Sequence, residues 1–369
     1  MARIPVNQPV VPDDAKRRVV ETMEAGWLSS AGPVVAEFER TFAAQLGVAH
    51  AVATSSGTAA LHLALCALDL DPGDEVIVPD FTMFATVAAI LYCSATPVCV
   101  DVDPNTYTID PGAVRSAVTQ KTKAIIAVHV YGHSAAMGWL KAIAAEHGLA
   151  LVEDAAEAHG ARYRGRACGA LGDVAAFSFY GNKIISTGEG GMLVTDDPGI
   201  AQKARSMGDM AHRPGHRFCH DQLGFSYRMG SLQAALGLGQ LAHLDEFLAR
   251  KRWMAAAYAA RLKRIAGLRL PVCKAWAENV YWMYAILVEP PFPLSRDDLR
   301  DALGERGIDT RSFFQPCSKQ PALIDMHGPQ TDCPVSTRIA ANGLYLPSGL
   351  ALDAEQLDRV CTAIEDLAS

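Results

Sequence analysis

The chain has 369 residues, more than one hydrophobic core usually holds, so it reads as two domains. Half of the residues are hydrophobic and the formal net charge is -7, which gives no general attraction to nucleic acid or to an anionic membrane. Nine cysteines without a CxxC pair or a metal-like Cys/His spacing read as reduced thiols of a cytoplasmic protein, with no metal expected. No apolar run approaches the length of a membrane span, and the first residues lack an apolar core of signal-peptide length.

Residues 1–13 form an extended lead-in with prolines at 5, 9 and 12. Residues 14–25 pattern as a helix. The loop Gly26-Trp27-Leu28-Ser29-Ser30-Ala31-Gly32 follows, and Pro33 suits the first turn of a helix running to about residue 46. From there short apolar strands alternate with helices. Strands are predicted over 50–54, 75–79, 97–102, 124–129 and 149–152, and helices over 58–68, 82–92, 114–118 and 136–147. This alternation predicts an α/β fold with a mainly parallel sheet covered on both faces, whose ligands sit beyond the carboxyl ends of the strands. A hairpin spans 173–195. Residues 200–207 pattern as a helix and the His- and Arg-rich stretch 211–226 as a loop. One or two long helices over 232–262 lead into a smaller α+β unit. It has a strand at 281–289, a helix over 296–306 capped by Ser295, a loop or strand at 311–320, and helices over 335–342 and 354–367. The expected division is a large domain over 1–240 and a small one over 241–369.

Three polar features fall at strand ends. Thr54-Ser55-Ser56-Gly57-Thr58 lies between a strand and a helix, where backbone N–H groups, hydroxyls and a glycine suit a phosphate; ordinary helix capping would look the same. Asp154, in Glu153-Asp154-Ala155-Ala156-Glu157, would face the crevice from a strand's carboxyl end. A carboxylate there can keep a pyridine nitrogen protonated, or merely cap a helix. Lys183 lies 183 − 154 = 29 positions further on, in FSFYGNKIISTGEGG, with no other lysine or arginine between Cys168 and Lys203. An amine in apolar, uncharged surroundings loses solvation, so its pKa falls and it can act as a nucleophile or base. A phosphate cradle, a pyridinium partner and a lone amine, in that order on such a sheet, suit pyridoxal 5'-phosphate. Tyr281-Trp282-Met283-Tyr284 reads as domain core. The cluster His212, Arg213, His216, Arg217 reads either as a diphosphate site or as a solvated loop.

VEDAAEAHG followed by FSFYGNKIISTGEGGMLVTDD resembles the DegT/DnrJ/EryC1/StrS family of sugar aminotransferases. The resemblance runs from GWLSSAG (26–32) through TSSGTAALHLAL (54–65), GDEVIVPDFT (73–82) and FSYRMGSLQAALGLGQL (225–241) to RSFFQP (311–316) and LPSGL (346–350). The central motif is most similar to that of the GDP-perosamine synthases. The resemblance implies the fold-type I architecture of aspartate aminotransferase. It implies amino transfer from L-glutamate, leaving 2-oxoglutarate, to the C4 keto group of a nucleotide-linked 4-keto-6-deoxy sugar, with pyridoxamine 5'-phosphate arising on the way. It implies a homodimer with shared active sites. Lys183 matches the lysine that bonds to the cofactor and Asp154 the acid at its ring nitrogen. Ser178 and Ser56-Gly57-Thr58 match phosphate-binding groups. Glu157 matches a position near the phenolic oxygen. Ser29, Ser30, His220 and Arg311 match positions that meet the sugar nucleotide.

Three positions depart from the family pattern. Met83 stands where an aromatic ring usually covers the cofactor, with Phe84 beside it expected to point elsewhere. Ser226 stands where an asparagine usually reaches the neighbouring subunit's phosphate. Ser318 replaces a common histidine, which leaves the sugar open to other UDP- or dTDP-linked keto sugars. Sugar dehydratases of the same fold carry histidine where Lys183 stands, and a non-catalytic regulator would be free to lose Lys183 and Asp154.

Overall fold

The computed structural model describes residues 2–368. Seven strands form the main sheet: β1 His50–Thr54, β2 Glu75–Pro79, β3 Thr96–Val100, β4 Thr122–Val128, β5 Ala150–Asp154, β6 Val174–Ser178 and β7 Gly191–Thr195. Their order across the sheet is β1-β7-β6-β5-β4-β2-β3. β7 is antiparallel to both its neighbours, and every other pairing is parallel. Six strands therefore end at the same edge, with β7 turned back by the hairpin at 178–191. The strands are almost wholly buried, as expected of a sheet covered on both faces.

Helix positions follow local chemistry. Ser56 caps the helix Gly57–Ala67 by accepting the Ala59 N–H at 3.1 Å. Pro111, Pro198 and Pro334 each sit in a first turn, where the missing N–H costs nothing. Asp353 and Gln356 close a capping box on the helix Ala354–Leu367. The long apolar stretch after 230 is two helices, Ser231–Ala242 and Leu244–Leu262. A four-stranded antiparallel sheet, Leu268–Arg269, Tyr284–Val288, Gly343–Leu346 and Arg311–Ser312, builds the smaller unit. Two hydrophobic cores result. The second gathers Met254, Tyr258, Ile286, Leu303, Leu346 and Ile364, and also takes Ile4 from the lead-in. Phe313, Ile339 and Tyr345 from the smaller unit pack into the first.

Several elements differ from the sequence pattern. The stretch read as a loop over 211–226 contains a short hairpin, His212–Arg213 with His216–His220. Its turn is Pro214-Gly215, a dipeptide that marks chain reversal. The helix after β2 starts at Ala85 rather than 82, which frees Thr82 and Met83 for the sheet edge. The helix Pro321–His327 and the strand Gly343–Leu346 had no clear signal in their short mixed sequences.

Glu153 is fully buried beside the sheet edge. It accepts N–H groups of Gly169, Leu171 and Gly172 at 2.9, 2.6 and 2.6 Å. The His129 ring adds a fourth donor at 2.8 Å through Nε2, because Nδ1 accepts the Ala135 amide. Removing the carboxylate strands these donors without water, at about 1–3 kcal/mol for each left unmade. Glu153→Ala is therefore expected to lower unfolding free energy by at least about 3 kcal/mol in urea titration. A change below about 1 kcal/mol would show that these donors find other partners.

Candidate active site

A cavity of about 370 Å³ opens at the carboxyl edge of the sheet. Ser56, Gly57 and Thr58 enter it after β1, Met83 after β2, Asp154 at the end of β5, and Ser178 and Lys183 after β6. The smaller unit closes it with Trp282, Met283 and Arg311. The residues from 56 to 183 thus converge because parallel strands present their ends together.

Lys183 has a side chain only 10% exposed, with Nζ 3.6 Å from Glu157 Oε1. Nζ also lies 3.8 Å from the centroid of the Trp282 ring. Burial lowers the amine's pKa from the usual lysine value, and the charges of Glu157 and Asp154 oppose this without cancelling it. The expectation of uncharged surroundings is corrected here: the neighbouring acids come from β5 and the turn after it, out of register with the lysine's own sequence.

Asp154 is 5% exposed. Burial raises its pKa, and two donors work the other way: Thr86 Oγ1 at 2.8 Å and the Ala156 N–H at 3.1 Å. Thr82 lies 3.1 Å from Thr86, so the hydroxyls form a chain behind the carboxylate. Burial likewise raises the pKa of Glu157, opposed first by the charge of Lys183 and then by the Tyr131 N–H at 2.8 Å. Tyr131 adopts φ 57°, a left-handed conformation that a bulky residue rarely takes, and this aims its N–H at the acid.

At the other end lies the N-terminus of the helix Gly57–Ala67, whose first N–H groups have no partners within the helix. A Cβ at Gly57 would come within 2.7 Å of the Ser178 Cβ, so glycine lets the first turn close on Ser178. This cradle of amides and hydroxyls fits a phosphate, while the buried Asp154 fits a cationic ring nitrogen. The donor set thus fits pyridoxal phosphate.

Met83 lies on the cavity wall and is 55% exposed, whereas Phe84 packs against the core. Trp282 and Met283 belong to the first core, as the sequence pattern predicts, but they also line the cavity, with Trp282 beside Lys183; Tyr284 lies in the second core and Tyr281 packs against it. The indole is held by its N–H, which donates to Asn182 O at 2.8 Å, and the buried Lys251 ammonium donates to Trp282 O at 2.7 Å. Burial pushes Lys251 down to about 7. Lys251 and Trp282 carried no local motif, and a lysine in an Ala- and Leu-rich helix was the one available signal. Ser318 is buried, donating its N–H to Asp80 at 2.6 Å, and does not line the cavity.

Four expected site residues are not brought to this cavity within one chain. Ser30 lines a separate cleft of about 770 Å³ with Arg205, His212, Arg213, His216 and Arg228. Ser29, His220 and Ser226 line neither. Ser226 accepts from Arg228 at 2.7 Å, and His220 meets Met210 O at 2.7 Å.

A buried amine facing two carboxylates, with a phosphate cradle across one cavity, defines the chain as an enzyme built to use pyridoxal phosphate. Comparison with known proteins agrees. The chain is 40% identical over 368 residues to the GDP-perosamine synthase of Caulobacter vibrioides, covering 100% of this chain and 99% of the relative. It superposes on S. venezuelae DesV, solved with a ketimine intermediate, with a TM-score of 0.91 at 37% identity, covering 98% and 99% of the two chains. The PLP form of Spr1654 from Streptococcus pneumoniae gives a TM-score of 0.93 at 25% identity, covering 100% of each. The profile of the DegT/DnrJ/EryC1/StrS aminotransferase family matches residues 11–365, and the chain belongs to that family.

The charge balance around Lys183 can be read on the cofactor-free chain. A carboxylate at 3.6 Å favours the ammonium form, so Glu157→Gln should move the amine's pKa further down. Competitive acylation followed over pH, with peptide mapping, should place the Lys183 midpoint below that of the surface lysines, and lower still in the variant. An unchanged or raised midpoint in Glu157→Gln would show that the acid does not act on the amine.

Proposed function

We propose that this enzyme moves an amino group from L-glutamate to the C4 keto group of a nucleotide-linked 4-keto-6-deoxy sugar, with GDP-4-keto-6-deoxy-D-mannose as substrate and GDP-perosamine as product. The observation that carries the reading is one cavity lined by Lys183, Asp154 and the N-terminus at Gly57. The full-length similarity to a GDP-perosamine synthase supports the choice of sugar. Bound pyridoxal phosphate supplies the carbonyl that carries the amino group and the ring that takes up electrons when a Cα–H bond breaks. Lys183 Nζ moves the proton: burial increases its neutral share, so it can accept a proton from the donor's Cα and return one on the acceptor side. Asp154 would hold its negative charge against the ring nitrogen, with Thr86 and Ala156 fixing its two oxygens. Ser56, Gly57, Thr58 and Ser178 would hold the phosphate. Glu157 would sit by the phenolic oxygen while tempering the charge of Lys183. Met83 would cover the ring with a thioether in place of an aromatic face. Trp282, whose ring centroid lies 3.8 Å from Nζ, would shield the amine from bulk water.

The functional unit in this reading is a homodimer with shared sites. Ser226 would reach the partner subunit's phosphate, and Ser29, Ser30, His220 and Arg311 would meet the sugar nucleotide. Supporting this, Ser226 is exposed on a segment pinned beside β1 through Ser55 N–H to Tyr227 O at 2.7 Å. Trp27 and Leu28, next to Ser29, stand 44% and 60% exposed. No helix among the described residues is long and apolar enough to cross a membrane. Nine cysteines without a disulfide-like pattern suit a cytoplasmic enzyme of deoxyamino sugar biosynthesis, for a polysaccharide or a secreted metabolite.

Mass spectrometry of GDP-, UDP- and dTDP-linked 4-keto sugars incubated with enzyme and glutamate tests the substrate. Amination of the GDP-linked 4-keto-6-deoxymannose at the highest kcat/KM is the expected result. A clear preference for a UDP or dTDP sugar would replace it. For the shared site, chains carrying Lys183→Ala are mixed with chains altered at residues 225–228. Each parent should be nearly inactive, and the mixture should regain part of the wild-type rate. Subunit exchange seen by mass without regained activity would contradict a shared site, as would an active monomer in sedimentation.

A further inference from the structure

The helix Gly57–Ala67 carries His62 and Cys66 one turn apart, on one face. Cys93 caps the C-terminus of the neighbouring helix Ala85–Tyr92. A ring nitrogen of His62 and the two sulfurs all lie within 4.8 Å of one another. The sulfurs are 3.7 Å apart. His62 is buried and both cysteines are partly buried, so the donors are held in place yet reachable. We propose that His62, Cys66 and Cys93 form a binding site for a soft divalent cation, and that Zn²⁺ is the ion it takes.

The sulfur separation is already that of a bound state. Zn–S bonds of about 2.3 Å at a tetrahedral angle set two thiolate sulfurs about 3.8 Å apart, close to the separation found. A pair of thiols sharing a hydrogen bond would account for that distance but not for an imidazole converging on both. One imidazole and two thiolates favour zinc, whereas Mg²⁺ and Ca²⁺ require oxygen donors. Binding releases the two thiol protons to solvent, so the doubly charged ion meets two thiolates and the site ends neutral. Three protein ligands leave the fourth tetrahedral position to water. The Tyr227 hydroxyl, 3.3 Å from His62 Nδ1, is placed to orient the ring, as partners behind metal-binding histidines do. No metal-like spacing is visible along the chain because Cys93 stands at the end of another helix, 27 positions past Cys66.

The position suggests what the ion does. Both helices begin at the cavity edge: Gly57 and Thr58 line the cavity, as does Ala85, and Thr86 bonds Asp154. An ion joining their far ends would fix these two starts relative to each other. Phe225 packs 4.7 Å from the His62 ring, so the segment carrying Ser226 would be steadied as well.

The test uses the holoenzyme, stripped with a chelator and kept reduced under argon, with Co²⁺ as the probe and Zn²⁺ as competitor. One equivalent of cobalt should bind with the intense visible bands of a tetrahedral site and a sulfur-to-metal charge-transfer band. Zn²⁺ should displace it and raise the thermal midpoint. Cys66→Ser, Cys93→Ser and His62→Gln should each weaken binding by more than the about 100-fold that losing an outer partner can cost. Cys273→Ser, which removes an exposed thiol elsewhere, should change nothing. Should one ligand variant fail to fold, the other two carry the same reading. No uptake, an octahedral spectrum, or equal binding by a folded Cys66→Ser chain would overturn the site.

Discussion

A lysine amine is kept out of water within reach of two buried carboxylates, and the rest of the structure serves that arrangement. Burial alone would push the acids toward protonation and the amine toward neutrality. Together they moderate one another: Glu157 lies 3.6 Å from Lys183, and each acid has its own hydrogen-bond donors. Burial lowers the amine's pKa against the opposing pull of the acids, so its neutral form is more available than that of a surface lysine, which favours accepting a proton.

The fold supplies the arrangement by geometry. Parallel strands bring Gly57, Met83, Asp154 and Ser178 to one edge, while the hairpin from β6 to β7 carries Lys183 over it. Behind this edge Glu153 gathers four donors, tying the loop at 169–172 and His129 to the end of β5. Asp154 is therefore preceded by one of the most firmly held residues of the sheet. From the opposite side, Trp282 is gripped at both ends, by Asn182 O and by Lys251, and so faces the amine as a rigid wall.

The parts of the site that follow a strand were legible in sequence. Ser56-Gly57-Thr58, Asp154 and Lys183 each sit where an apolar run stops, and strand ends are where such sheets bind ligands. Element types were mostly legible too, because alternating apolar strands and amphipathic helices leave a strong periodic trace. What could not be read was contact across distant sequence. Trp282 lies in an aromatic stretch that looks like core. The acids facing Lys183 belong to a different strand. Ser29, Ser30 and His220 stay away from the cavity of their own chain, a placement that no local pattern reveals, whereas for Ser226 the family resemblance already pointed to a neighbouring subunit. The hairpin over 212–220 was hidden by its polar composition, although Pro214-Gly215 marked its turn.

The central claim is that Lys183 is the amine that meets the cofactor. Borohydride reduction of the holoenzyme followed by peptide mapping tests it most directly. The cofactor should become fixed to Lys183 alone, and Lys183→Ala should still fold and hold pyridoxal phosphate, but without a covalent bond. A label on Lys203, Lys251 or any other lysine would contradict the account.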